Sequence, residues 1–230
     1  MTPEFDYAAV APPGEAQAWR EVWLSALARP SAATYAGLVN RPNVTLARAY
    51  LWVLVSALAG TFLSVLLQWA FAPVVRAVLP DSAPSGFGPA TLVCAPAAAA
   101  VLTVMGLTLG AGYSHLIARA LGGTGTFTQL AYAVAAYVAP LGFVLSVVSA
   151  LPLLVCLTLP LALYGLALNV IAIKGTHQLS WGRAIASSGV ILGLGLFILG
   201  LLIIVILALT GPAIGNVFSN IIQDLGTPAP

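Results

Sequence analysis

ALGGTGTFTQLAYAVAAYVAPLGFVLSVVSALPLLVCLTLPLALYGLALNVIAI, residues 120–173, holds no Asp, Glu, Lys or Arg. Crossing roughly 30 Å of hydrocarbon takes about 20 apolar residues in a helix. The run therefore contains two crossings, 130–150 and 152–173, separated by little more than Leu151 and Pro152. They form an antiparallel hairpin whose turn lies at one membrane face.

Similar runs flank this hairpin at 49–71, 89–116 and 184–210, which makes five expected spans. Closed β-barrels are the other spanning solution, but they show alternating segments of about ten residues, and nothing here alternates that way. Composition agrees, with 60% hydrophobic and 6% charged residues against roughly 25% charged in an ordinary soluble domain. Mean hydropathy is +1.03. The expected fold class is all-α: a polytopic membrane protein, a bundle of five transmembrane helices with a short N-terminal interfacial amphipathic helix.

Orientation follows from the basic residues, because Lys and Arg near span ends are retained in the cytoplasm. Arg20, Arg29, Arg41 and Arg48 precede the first span, Arg119 follows the second, and Lys174 and Arg183 lie between the fourth and fifth. On the other side only Arg76 stands in a loop, beside Asp81, with Asp224 in the tail. The N-terminus is thus expected in the cytoplasm and the C-terminus outside; the bias to Ala, Gly, Pro and Arg over Lys points to a bacterial plasma membrane. A cleaved signal peptide is not expected, since a long polar segment precedes a first span too long for a signal h-region.

Ahead of the spans, residues 1–14 read as a disordered tail and 15–48 as a cytoplasmic amphipathic segment. Trp19, Val22, Trp23, Ala26 and Leu27 recur at helical spacing, with Arg20, Glu21 and Arg29 on other faces, a pattern suited to a helix in the headgroup layer. Pro30 stops it. Thr34, Tyr35, Leu38 and Val39 form a second apolar cluster ended by Pro42, after which Asn43 is placed to cap the first span. Residues 211–230 are expected as an extracytoplasmic tail.

Catalytic chemistry finds no foothold. Every Asp and Glu lies outside the spans, and no His-Glu-x-x-His sequence is present. His115 and His177 fall at loop positions with no acidic residue nearby in sequence to orient them. No catalytic residue, cofactor or metal site is expected. Gly122, Gly123 and Gly125 lack the Lys-Ser or Lys-Thr ending of a phosphate loop, so the cluster reads as a loop with Thr126 or Thr128 capping the third span. The scattered net charge of +2 argues against nucleic-acid binding. Cys94 and Cys156 both fall near the outer face, where they are read as packed thiols, with a disulfide as the alternative.

Polar and small residues inside the spans bear on assembly instead. Asn169 has four hydrogen-bonding sites to satisfy, so it either links helices or contacts a ligand or partner. Gly106 and Gly110, and Gly189 and Gly193, stand four apart, a spacing that lets helix backbones approach within the chain or between copies. Pro96, Pro140 and Pro160 are expected to bend their helices.

The layout resembles the Yip-one family, the Ypt/Rab-GTPase-interacting proteins and their bacterial relatives. The matching features are Val22-Trp23-Leu24 through Arg29-Pro30, then Arg41-Pro42-Asn43 before the first span, the stretch 122–137, and 168–180 with its His177-Gln178-Leu179-Ser180. The resemblance covers residues 19–210. It implies a cytoplasmic N-terminus, an outer C-terminus and no enzymatic activity. The Asp-Leu-Tyr-Gly-Pro motif of the eukaryotic cytoplasmic segment is absent, so small-GTPase binding is not supported. The function expected is a membrane scaffold or adaptor whose partners are the bilayer and other membrane proteins or further copies, with Trp19 and Trp23 on the contacting face. The alternative is a passive channel or permease subunit.

Overall fold

A computed structural model describes residues 18–78 and 88–226, and every regular element among them is helical. The order is α1 (Trp19–Ala28), α2 (Ala32–Val39), α3 (Leu46–Val78), α4 (Pro89–Ala120), α5 (Phe127–Ser149), a 3-10 segment (Pro152–Leu157), α6 (Thr158–His177) and α7 (Trp181–Gly226). The expected tail at 1–14 and the loop carrying Asp81 lie outside the described residues. By length and apolar content, four helices can cross a membrane: Leu46–Val75, Ala90–Ala120, Phe127–Ser149 and Leu154–His177. The fifth expected span falls in α7, where many side chains are outside the described set and Ile198–Ala208 is a shorter apolar stretch. The all-α, multi-pass reading holds.

Local chemistry sets the helix ends. Ser31 caps α2 by accepting the Thr34 N–H at 3.0 Å. The cap of α3 is Thr45, whose hydroxyl accepts the Arg48 N–H at 3.2 Å, and not Asn43 as the sequence had indicated. Asn43 stands two residues further back, in the turn after Pro42. For α5 the choice between two threonines falls on Thr126, which forms a capping box with Gln129. Pro160 also departs from expectation. A 3-10 segment opened by Pro152 turns the chain, so α6 begins at Thr158 and Pro160 sits in its first turn, where the missing N–H has no intrahelical partner to lose. Pro96 and Pro140 do lie inside helices.

The chain divides after Ser188. In the first unit α5 is the central element and touches α1, α2, α3, α4 and α6. Residues Leu130 to Tyr137 are buried on every face, the mark of a helix surrounded by protein. Alanine makes this possible: Ala131, Ala133, Ala135, Ala136 and Ala139 are short enough for neighbouring helices to come close. α4 and α6 instead turn Leu102, Leu109, Leu116, Leu159 and Leu163 outward, as helices facing hydrocarbon do. The second unit, from Gly189 onward, is the remainder of α7, with exposed Leu, Ile and Val from Ile198 to Leu207.

Within the chain, close helix approach occurs at Gly60, where an added Cβ would lie 3.2 Å from the Phe143 Cα of α5. Around Gly106 and Gly110 such a Cβ would meet nothing within 4 Å. The tightest glycine contact between helices is elsewhere again: a Cβ on Gly175 of α6 would fall 2.5 Å from the Ala32 carbonyl oxygen of α2. Gly175→Ala should therefore cost about 1–3 kcal/mol by overpacking, whereas Gly110→Ala should be neutral or slightly stabilising. Denaturation in detergent followed by circular dichroism checks the pair, and equal effects would show that α2 does not seat on α6.

Candidate functional site

Seven of the eight basic residues belong to the end of the first unit formed by α1, α2, the α4–α5 loop and the α6–α7 turn. Three stretches distant in sequence interlock there. The Thr124 N–H donates to the His177 carbonyl at 3.2 Å. Cβ atoms on Gly123 and Gly125 would fall 2.9 Å from His177 Cβ and 2.5 Å from the Thr176 oxygen, so the α4–α5 loop can lie flat on the last turn of α6 only as glycine. Gln178 then takes a left-handed conformation, φ 55°, and turns the chain into Leu179 and Ser180.

That turn covers a cation. Lys174 is only 8% exposed, donates to the Leu179 carbonyl at 3.2 Å, and lies 5.1 Å from the centre of the Trp181 ring. Below it, His115 Nδ1 and His177 Nε2 are 3.4 Å apart. Both histidines are in helices, near the ends of α4 and α6, and not in loops as their sequence positions had indicated. His177 Nδ1 and Thr176 Oγ1 are buried without hydrogen-bond partners among the described residues. No group of three His, Cys, Asp or Glu able to hold a metal occurs among those residues. Arg119 and Arg183 close the site from above, donating to the Gly123 and Leu121 carbonyls at 3.4 and 3.3 Å.

α1 is clamped to the same end. Its last carbonyls, which a helix leaves unsatisfied, accept from two tyrosines: Tyr35 donates to Ala26 at 3.2 Å, and Tyr164 of α6 donates to Leu27. Trp19 and Trp23 turn inward onto Trp52 of α3, with ring centres 6.0 and 6.2 Å away. Trp52 in turn packs on Tyr132 of α5 at 4.9 Å, with the Arg48 guanidinium 5.2 Å from its ring. Of the aromatic face expected at the headgroups, Trp23 is half-buried in this cluster and Trp19 stays 37% exposed. The outward face of α1 carries Arg20, Leu24 and Ala28, with Leu24 64% exposed.

Asn169 joins three helices, accepting from the Tyr137 hydroxyl at 3.2 Å and donating to Ser188 at 3.4 Å. An added Cβ at Gly106, Gly110, Gly189 or Gly193 would meet nothing within 4 Å. Cys94 and Cys156 are exposed and not bonded to each other. Nothing in the sequence joins the two interlocking loops, and Lys174 reads there as a topology signal alone. A lysine beside glycine in Lys174-Gly175-Thr176-His177, at the end of an apolar span, was the available sign of a packed polar turn.

Residues 24–219 match the family model of the Yip1 domain. No curated protein and no solved structure matches the chain.

Burial, then the neighbouring Tyr137 and Tyr164, hold the Tyr35 hydroxyl well above its ordinary pKa. Below pH about 10 the phenol is neutral both folded and unfolded, and the Tyr35 contribution is complete. As pH rises beyond that, the unfolded chain releases the proton first and stability falls by up to about 1.4 kcal/mol per pH unit. Tyr35→Phe should flatten that alkaline decline in unfolding free energy. An unchanged slope would place Tyr35 in solvent.

Proposed function

The chain belongs to the Yip1 domain family, and we propose that it is a non-catalytic membrane scaffold that holds partner proteins at its arginine-rich, cytoplasmic end. The observation that carries this reading is the fixed presentation of α1. A short helix would fray alone, yet two tyrosine hydroxyls from α2 and α6 and the packing of Trp19 and Trp23 on Trp52 of α3 hold this one in place. Work spent on rigidity leaves Arg20, Leu24 and Ala28 as a preorganised outward strip, and preorganisation lowers the ordering cost of binding. Asn169 and the buried aromatic cluster serve the scaffold by fixing the helices, while Gly106, Gly110, Gly189 and Gly193 are offered to other membrane helices.

A photo-crosslinking residue at position 24 should capture a membrane-protein partner in native membranes, and Leu24→Glu should weaken that capture about tenfold while leaving insertion intact. Crosslinks only to lipid or to the chain itself would refute the scaffold.

A second reading, a passive channel or permease subunit, draws on one feature. Ser56 and Thr61 of α3, Thr103 of α4 and Ser146 of α5 supply hydroxyls to an otherwise apolar cavity of about 130 Å³ within the bundle, large enough for water. If it conducts, proteoliposomes should shrink and swell faster with the protein than without it, and Ser146→Leu should abolish the difference. Equal rates would remove this reading.

A further inference from the structure

Arg119 and Arg183 converge on one short piece of backbone, Lys174 is held at the neighbouring end of α6, and among the described residues none of the three has a carboxylate partner. Arg119 reaches the Gly123 carbonyl and Arg183 the Leu121 carbonyl, so the two guanidinium groups flank the three-residue segment between them. Each hydrogen bond uses one of five N–H donors. Lys174, in the last turn of α6, is 8% exposed, donates to the Leu179 carbonyl and lies against the Trp181 ring. A buried cation without a counter-charge is costly, and more so at the edge of hydrocarbon, where ionisable groups pair or mark a binding site.

We propose that the loop Leu121–Gly122–Gly123 and the first turn of α7 form a binding site for the phosphodiester headgroup of an anionic membrane lipid. The forked guanidinium groups of Arg119 and Arg183 grip the phosphate oxygens, and Lys174 supplies positive charge from the neighbouring end of α6. The first N–H groups of α7 add the positive end of its helix dipole. Lipid, and not free phosphate, is the occupant because the site continues into an apolar surface. Leu116, one turn into the membrane from Arg119 on α4, is 68% exposed, and Trp181 and Ile185, one turn apart on α7, are 53% and 54% exposed. An acyl chain can cover these side chains, whereas a soluble anion would leave them bare. Trp181 is placed as aromatic residues are at the headgroup boundary.

This site shares no residue with the α1 strip and stands whether or not that strip binds a partner. Its test is native mass spectrometry of the full chain released from bilayers of equal phosphatidylglycerol and phosphatidylcholine. The wild-type chain should retain phosphatidylglycerol selectively, and Arg119→Gln with Arg183→Gln should reduce that selectivity by about 30-fold, about fivefold per arginine at a membrane surface. Arg20→Gln with Arg29→Gln removes the same charge from the same end and should leave retention close to wild type. Millimolar inorganic phosphate should not strip the lipid.

Equal retention of the two lipids overturns the proposal, as does an equal loss in the Arg20 and Arg29 pair, which would mean charge without a site. Displacement by inorganic phosphate overturns the choice of lipid. If the glutamine pair does not insert, Arg119→Lys with Arg183→Lys keeps the charge but not the fork and should lose selectivity several-fold; retention equal to wild type would exclude the guanidinium grip.

Discussion

Lipid tails are as apolar as leucine, so inside a bilayer apolar side chains gain little by meeting one another, and helices associate through close packing and shared hydrogen bonds. The rest of this fold depends on how α5 meets that constraint. Its first half is buried on all sides, and its alanines reduce the helix nearly to backbone width, so that α3, α4 and α6 pack around one axis. Gly60 extends the same solution to α3, where a glycine lies against Phe143 and Ser146. Leucine at these α5 positions would hold the neighbours apart and remove the dispersion contacts that replace the hydrophobic effect here.

The arginine-rich end faces a different demand, since polar groups leaving the hydrocarbon must find partners before they reach water. Glycine again allows the approach, through Gly123, Gly125 and Gly175, but here it lets backbone and polar side chains meet. The Thr124 N–H finds the His177 carbonyl, Lys174 finds Leu179, and the tyrosines find the open end of α1. His177 Nδ1 and Thr176 Oγ1 are buried here without a hydrogen-bond partner among the described residues, as the indole N–H groups of Trp23 and Trp52 are in the aromatic cluster.

Several features were legible because they depend on short stretches alone. Charge-free length marks a span whatever its neighbours, the arginine bias marks an end, and helical spacing of Trp19, Val22, Trp23 and Ala26 marks α1. Caps were less legible: Asn43 and Thr45 are both good N-cap residues, and the choice fell on the one whose carbonyl begins the hydrogen-bond ladder of α3. Pro160 read as a kink because the 3-10 turn ahead of it, which moves it into a first turn, comes from how the chain reverses after Ala150.

The site was hidden for a stronger reason. His115 and His177 are 62 positions apart, and nothing local to either announces the other. By itself the sequence determined that this chain lies in a membrane as helices, with its basic residues at one end, because hydrophobicity and charge act residue by residue against the solvent. It took the folded bundle to bring Trp19 and Trp23 of α1 onto Trp52, to make Gly175 rather than Gly110 the crowded glycine, and to put Arg119 and Arg183 on one loop. Those outcomes depend on which helices become neighbours, and neighbours are chosen by packing across the whole bundle.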